Sequence, residues 1–266
     1  MPTFDTPEPI SALIQFPLGD LRITAEDRAD TVVEVAPTSA SSEADVQAAR
    51  QLRVEYAGGK LLVKGARERG IASWLSWLGG SASVDVSIWL PTGSRVEARA
   101  AAPMRTEGVL GECVFESSLG DSVIDRTGEL RLSTTHGDIR VGAVDGQASL
   151  STSNGSISVG QVSGDLRAMT ASGSITVDRA LGGVNAKTAY GSVRLGEVVR
   201  GKVQLASAYG ELEVGVRLGT AAWLEVHTQY GKVRNHLTAA DAPAATDETV
   251  EVHARNGYGD IVIRRA

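Results

Sequence analysis

One glycine recurs along the chain at almost constant spacing: Gly120, Gly137, Gly155, Gly173, Gly191, Gly210, Gly231 and Gly259, at intervals of 17, 18, 18, 18, 19, 21 and 28 residues. Most open a short apolar-alternating stretch such as GDIRV, GSISV, GSITV, GSVRL, GELEV or GDIVI. A fixed short period of this kind marks a solenoid, whose units bury their apolar face only by stacking on their neighbours. A second column, Gly111, Gly128, Gly146, Gly164, Gly182 and Gly201, lies about nine residues upstream and divides each coil into two strand-and-turn halves.

Period two holds inside both halves. After the first glycine come Cys113/Phe115, Leu130/Leu132, Ala148/Leu150, Leu166/Ala168, Val184/Ala186 and Val203/Leu205. After the second come Ile139/Val141, Ile157/Val159, Ile175/Val177, Val193/Leu195, Leu212/Val214 and Ile261/Ile263, with Val144, Val162 and Val198 at the corner beyond. Alternate side chains of a strand face opposite ways, so these columns form the interior and the Ser, Arg, Glu and Lys between them face water. Hydrophobic residues make up 42% of the chain but aromatics only 5%, so the core is aliphatic. Both turn columns are read as corners that need a positive φ. Three residues before each turn glycine stands Ser117, Thr134, Thr152, Thr170, Thr188, Ser207, Thr228 or Asn256, placed to bond turn backbone.

The fold expected is all-β: a single-stranded parallel β-helix or β-solenoid with two strands per coil of about 18 residues. Residues 1–92 are read as a β-rich cap carrying a short helix at 42–50, with Ser42 and Asp45 at capping-box spacing, and a tryptophan-rich segment at 71–80. Residues 93–266 are read as the coils, with a loop inserted at 237–249. The proline-bearing N-terminal stretch and Arg264-Arg265 suggest capped ends.

A net charge of −6 argues against nucleic acid, which needs a basic stripe. Cys113 is the only cysteine, so no intrachain disulfide forms. Met1 to Ile10 carries acids and prolines rather than a basic start and an apolar run, and no stretch has the length of a membrane span, so a cytoplasmic location is expected.

Two constellations are candidates for contact with a partner. Ile71, Trp74, Leu75 and Leu78 share one face if 71–78 is helical, and Trp74, Leu75 and Trp77 could dock a partner or plug the end of the stack. Tyr190, Tyr209, Tyr230 and Tyr258 each precede a turn glycine, so four rings would form a ladder along one corner, for binding or for self-stacking. Two carboxylate columns, Asp121/Asp138 and Glu112/Glu129, have the placement of paired acids or a calcium site, with Arg126, Arg131 and Arg140 nearby. His136, His227, His236 and His253 fall in different columns without a ligand partner at metal spacing. No catalytic, cofactor or metal motif emerges.

The opening MPTFDTPEPI, the SWLSWLGG segment before SVDVSIWLP, and TAAWLEVHTQYGKVRN with the later YGDIVIRRA resemble an actinobacterial β-strand-repeat family of unknown function, adhesin-like and related to toastrack-type domains. The resemblance implies stacked strands, no catalytic residues to carry over and, for some relatives, a link to envelope-stress signalling. The function expected is a non-enzymatic, rigid interaction or scaffold module with a protein partner and a capacity for self-association. Alternatives are a carbohydrate-active enzyme using the stacked carboxylates and a filament-forming solenoid.

Overall fold

The computed structural model describes residues 1–65, 82–238 and 248–266. The chain divides into two compact units, Met1–Thr127 and Gly128–Ala266. Both are built from strands; among the described residues there is one helix, in the first unit, and no helix is long and apolar enough to cross a membrane.

The first unit contains β1 (Thr3–Asp5), β2 (Ser11–Glu26), β3 (Asp30–Pro37), α1 (Glu43–Gln51), β4 (Arg53–Ala57), β5 (Lys60–Lys64), β6 (Val84–Pro91), β7 (Arg95–Ala101), β8 (Met104–Leu110), β9 (Cys113–Ser117) and β10 (Ser122–Thr127). One sheet runs β1-β3-β6-β2-β8-β10 and the other β4-β5-β2-β7-β9. The 16-residue β2 serves both: Ser11–Gln15 lies parallel between β5 and β7, and Leu21–Thr24 parallel between β6 and β8. Alternation explains its place, since Ala12, Ile14, Phe16, Leu21, Ile23 and Ala25 are all buried. The outermost pairings, β1 with β3, β3 with β6 and β4 with β5, are antiparallel. Phe4 of β1 and Tyr56 of β4 meet with ring centroids 5.3 Å apart, tying the two outermost strands together.

Helix α1 starts at Ser42, whose hydroxyl accepts the Asp45 amide. Asp45 is buried and accepts from the amides of Ser83 and Ser39, at 3.0 and 3.1 Å. These bonds, Ser83 foremost, hold its carboxyl below the usual carboxylate range against the opposing effect of burial. Burial pushes the Cys113 thiol up to about 11.

The second unit contains β11 (Leu130–His136), β12 (Ile139–Val144), β13 (Ala148–Asn154), β14 (Ile157–Val162), β15 (Leu166–Ser172), β16 (Ile175–Ala180), β17 (Val184–Tyr190), β18 (Val193–Val198), β19 (Gly201–Tyr209), β20 (Leu212–Val216), β21 (Ala221–Tyr230), β22 (Val233–Asn235), β23 (Thr249–Tyr258) and β24 (Ile261–Arg265). Every described pairing within it is parallel, and through the regular coils each strand partners the one 18 or 19 residues on, Ile139 with Ile157 and Val184 with Val203. The predicted interior columns are buried, from Leu130 and Leu132 to Ile261 and Ile263, as are the corner residues Val144, Val162 and Val198. The solenoid expected from the glycine period is the fold observed.

The two glycine columns work by different physics, which corrects the shared reading. In the downstream column φ is positive at every glycine but Gly231, +147° at Gly173 and +149° at Gly210, and a Cβ at Gly210 would lie 2.0 Å from the Gly191 carbonyl oxygen. In the upstream column only Gly201 has positive φ; at Gly164 and Gly182 the adjacent turn lies too close, with backbone 2.7 and 2.6 Å from a built Cβ. The hydroxyl column bonds the turns as anticipated: Thr152, Thr170, Thr188 and Ser207 donate to the carbonyls of Gly137, Gly155, Gly173 and Gly191, and the Asn256 amide to Gly210.

The last coils do not stack in chain order. β23 lies between β19 and β21, and β24 between β20 and β22. Composition accounts for this. At the position where β24 carries Ile263, β22 carries Asn235, a polar group that stays exposed at the outside but would be stranded inside. The expected capping by Arg264-Arg265 is therefore not what is found. These residues sit on the inner strand, where Arg264 bonds Glu213 at 2.7 Å and Arg265 bonds the carbonyls of Arg217 and Thr220.

Candidate interaction surface

The tyrosine corner is assembled by register. Tyr190 faces Tyr209, Tyr209 faces Tyr258 and Tyr258 faces Tyr230, so the ladder runs 190, 209, 258, 230 rather than in chain order. Ring centroids are 5.2, 4.9 and 4.6 Å apart, with interplanar angles of 2°, 2° and 11°. The rings are between 46% and 61% exposed. Below them the same position holds Ser172, Asn154 and His136.

Rigidity at this corner comes from both sides of the turn. The Thr and Asn side chains hold turn carbonyls, and on the far side each turn amide is bonded by the coil before it: Ser174 by the Ser156 hydroxyl, Ser192 by Ser174 and Glu211 by Ser192. Because both faces of Tyr209 and Tyr258 and one face each of Tyr190 and Tyr230 are spent on other tyrosines, the ladder offers mainly ring edges and a row of phenol hydroxyls. It suits hydrogen-bond acceptors and apolar side chains better than the flat stacking of a sugar or a cation over a ring face.

Trp74, Leu75 and Trp77 lie outside the described residues. Asp121 and Glu112 belong to the first unit and Asp138 and Glu129 to the second. Asp138 is engaged structurally, accepting the Ser156 amide at 2.9 Å and bridging Arg140 at 2.6 Å. Among the described residues no cluster of three or more His, Cys, Asp or Glu is placed to hold a metal ion.

Three features escaped the sequence reading. His253 sits between two carboxylates, with Nδ1 2.8 Å from Glu225 and Nε2 against Glu251. The His253 hydrogen bond holds the Glu251 carboxyl below its ordinary value, with the Lys202 charge adding to it against desolvation. Glu225 was hidden because β21 and β23 are far apart in the chain, although Glu225 and His253 share a register pair, whereas Glu251 stands two residues from His253 on the same face of β23. Trp223, 56% exposed, packs its ring 5.3 Å from that of His253; its outward phase beside Ala222 and Leu224 was legible. Two grooves run along outer sheet faces. One, about 660 Å3 in the second unit, mixes Arg131, Arg167, Glu129 and Asp165; the other, about 530 Å3 in the first, lines Leu13, Leu62 and Val114 with Glu55 and Glu97.

No curated protein matches the chain. Among solved structures, a candidate adhesin from Bacteroides fragilis NCTC 9343 is 8% identical and superposes with a TM-score of 0.50, over 98% of this chain and 95% of that one. A candidate lipid-binding protein from Parabacteroides distasonis ATCC 8503 is 9% identical with a TM-score of 0.47, over 100% and 95% of the two chains. A candidate adhesin from Parabacteroides merdae ATCC 43184 is 10% identical with a TM-score of 0.44, over 98% and 94%. At such identities the likeness concerns the fold alone. The profile of Toastrack DUF4097 matches residues 14–266, nearly the whole chain, and the protein belongs to that family.

Proposed function

We propose that the chain is a non-enzymatic interaction module whose contact surface is the tyrosine corner of the second unit, engaging a protein partner. The observation that carries this reading is the ladder itself: four half-exposed tyrosines stacked on a corner whose turns are bonded from both sides. Tyrosine supplies large contact area with few rotatable bonds, and stacking removes much of the side-chain entropy that binding would otherwise cost. A family of toastrack type and the adhesin designation of the Bacteroides fragilis structure are in keeping with a role in surface contact. The engagement of Asp138 by a turn amide and by Arg140 speaks for a structural use of that acid rather than for hydrolysis.

The test replaces Tyr190, Tyr209, Tyr230 and Tyr258 together by Ser and compares photo-cross-linked partners of the two proteins by mass spectrometry. Circular dichroism serves as the control for folding. Partners captured by the wild type and lost from the variant support the assignment. Identical capture by both overturns it.

A further inference from the structure

The outer strand of the second unit has the features of a pairing edge, and we infer that it joins a second copy of this chain across a two-fold axis through Val226. Among the described residues β21 pairs with β23 alone, so one side of its backbone is open over ten residues, roughly 30 Å. Exposed edges are ordinarily blunted by shortness, proline or lysine. β21, AAWLEVHTQY, has none of these. Its inward side chains leave the last layer of core half covered: Leu224 and Val226 are only partly buried, whereas Val252 and Ala254 opposite them on β23 are fully buried.

The choice of a second copy rests on charge pattern and geometry. Two identical edges meet antiparallel about a two-fold axis normal to the sheet, and inward residues stay inward only if that axis passes through a residue position. Centred on Glu225, the pairing sets that carboxylate against its own copy. Centred on Val226, it sets Glu225 of each chain opposite His227 of the other, twice, with Trp223 opposite Gln229 and Leu224 opposite Thr228. Carboxylate and imidazole can share a hydrogen bond, and the two inward Val226 side chains close the exposed layer. Such an interface is isologous and stops at two chains. It does not depend on the tyrosine corner being a binding site.

Light scattering and sedimentation of the full chain, across the micromolar range, test it. The wild type is expected to be a dimer. His227→Glu, at an exposed position, turns two cross-strand pairs repulsive and is expected to weaken the dimer roughly ten-fold. Val226→Lys, which places a charge at the axis, is expected to give monomer with unchanged circular dichroism. A monomeric wild type overturns the inference, as does an assembly that keeps growing with concentration or a dimer indifferent to both His227→Glu and Val226→Lys.

Discussion

The outermost strands of the two units solve the same problem differently. In the first unit they are short and antiparallel: three-residue β1 against β3 and five-residue β4 against β5, joined by the Phe4 and Tyr56 rings. In the second unit β21 is long, runs parallel to its only described neighbour and keeps no buried residue. Reversing strand direction lets the sheets of the first unit end on short strands, so only a brief edge is left open, whereas a parallel coil of regular length leaves a full strand's worth of pairing groups open. The difference teaches that a parallel stack cannot close itself by repetition alone.

The largest effect expected separates the regular coils from the antiparallel hairpin. Gly210→Ala forces a Cβ against the Gly191 carbonyl oxygen and is expected to cost on the order of 3–4 kcal/mol in denaturant unfolding. Gly58→Ala, in the β4–β5 turn with φ of +56° and open space around it, is expected to cost about 1 kcal/mol. Equal costs would show that the hairpin turn is as constrained as the coil corner. Next, Phe4→Ala is expected to destabilise by about 1–2 kcal/mol, through loss of an aromatic pair and partial burial. Trp223→Ala, at the open strand, is expected to stay within about 0.5 kcal/mol when the protein is dilute.

Acid sharpens the contrast further. A carboxyl whose folded value lies below the unfolded one stabilises the fold above that unfolded value, about 3.9 for Asp, and the contribution fades as pH falls through the folded value. Asp45 is such a group, so α1 and the Ser83 segment are expected to loosen below about pH 4, read by hydrogen exchange, and Asp45→Asn to remove that acid step. The smallest effect concerns Cys113: with its thiol raised to about 11 and fully buried, it is expected to react with a disulfide reagent at pH 8 only as fast as the first unit opens.

Much of this was legible in the chain. Glycine spacing and strict alternation specified the coils, because each position in a solenoid sees nearly the same neighbours and the sequence repeats that environment. The order of the last coils was not read, because Tyr230-Gly231 and Tyr258-Gly259 are locally alike and both fit the ladder. The signal that could have decided it was Asn235 standing where Ile263 stands in the other coil, together with spacings of 21 and 28 in place of 18. The parallel placement of β2 within both sheets of the first unit was hidden for a related reason. Leu21 and Ile23 announce a buried strand but not which neighbours bury it. The tyrosines were found because identical residues at one register position must meet; the link from His253 to Glu225 was missed because it comes from pairing between distant segments.

The insertion of β23 and β24 beneath β21 and β22 has a consequence for how the second unit comes apart and goes together. A spiral stacked in chain order can be unzipped from its tail one turn at a time, each step exposing only the next. Here the tail is held like a page bound under the cover: β23 and β24 cannot leave until β21 and β22 lift, so the turn that comes off first is not the one at the end of the chain. Assembly meets the reverse condition. β21 has β23 as its described neighbour, so the outer turn finds its native place, Tyr230 upon Tyr258, only once the tail has settled on β19.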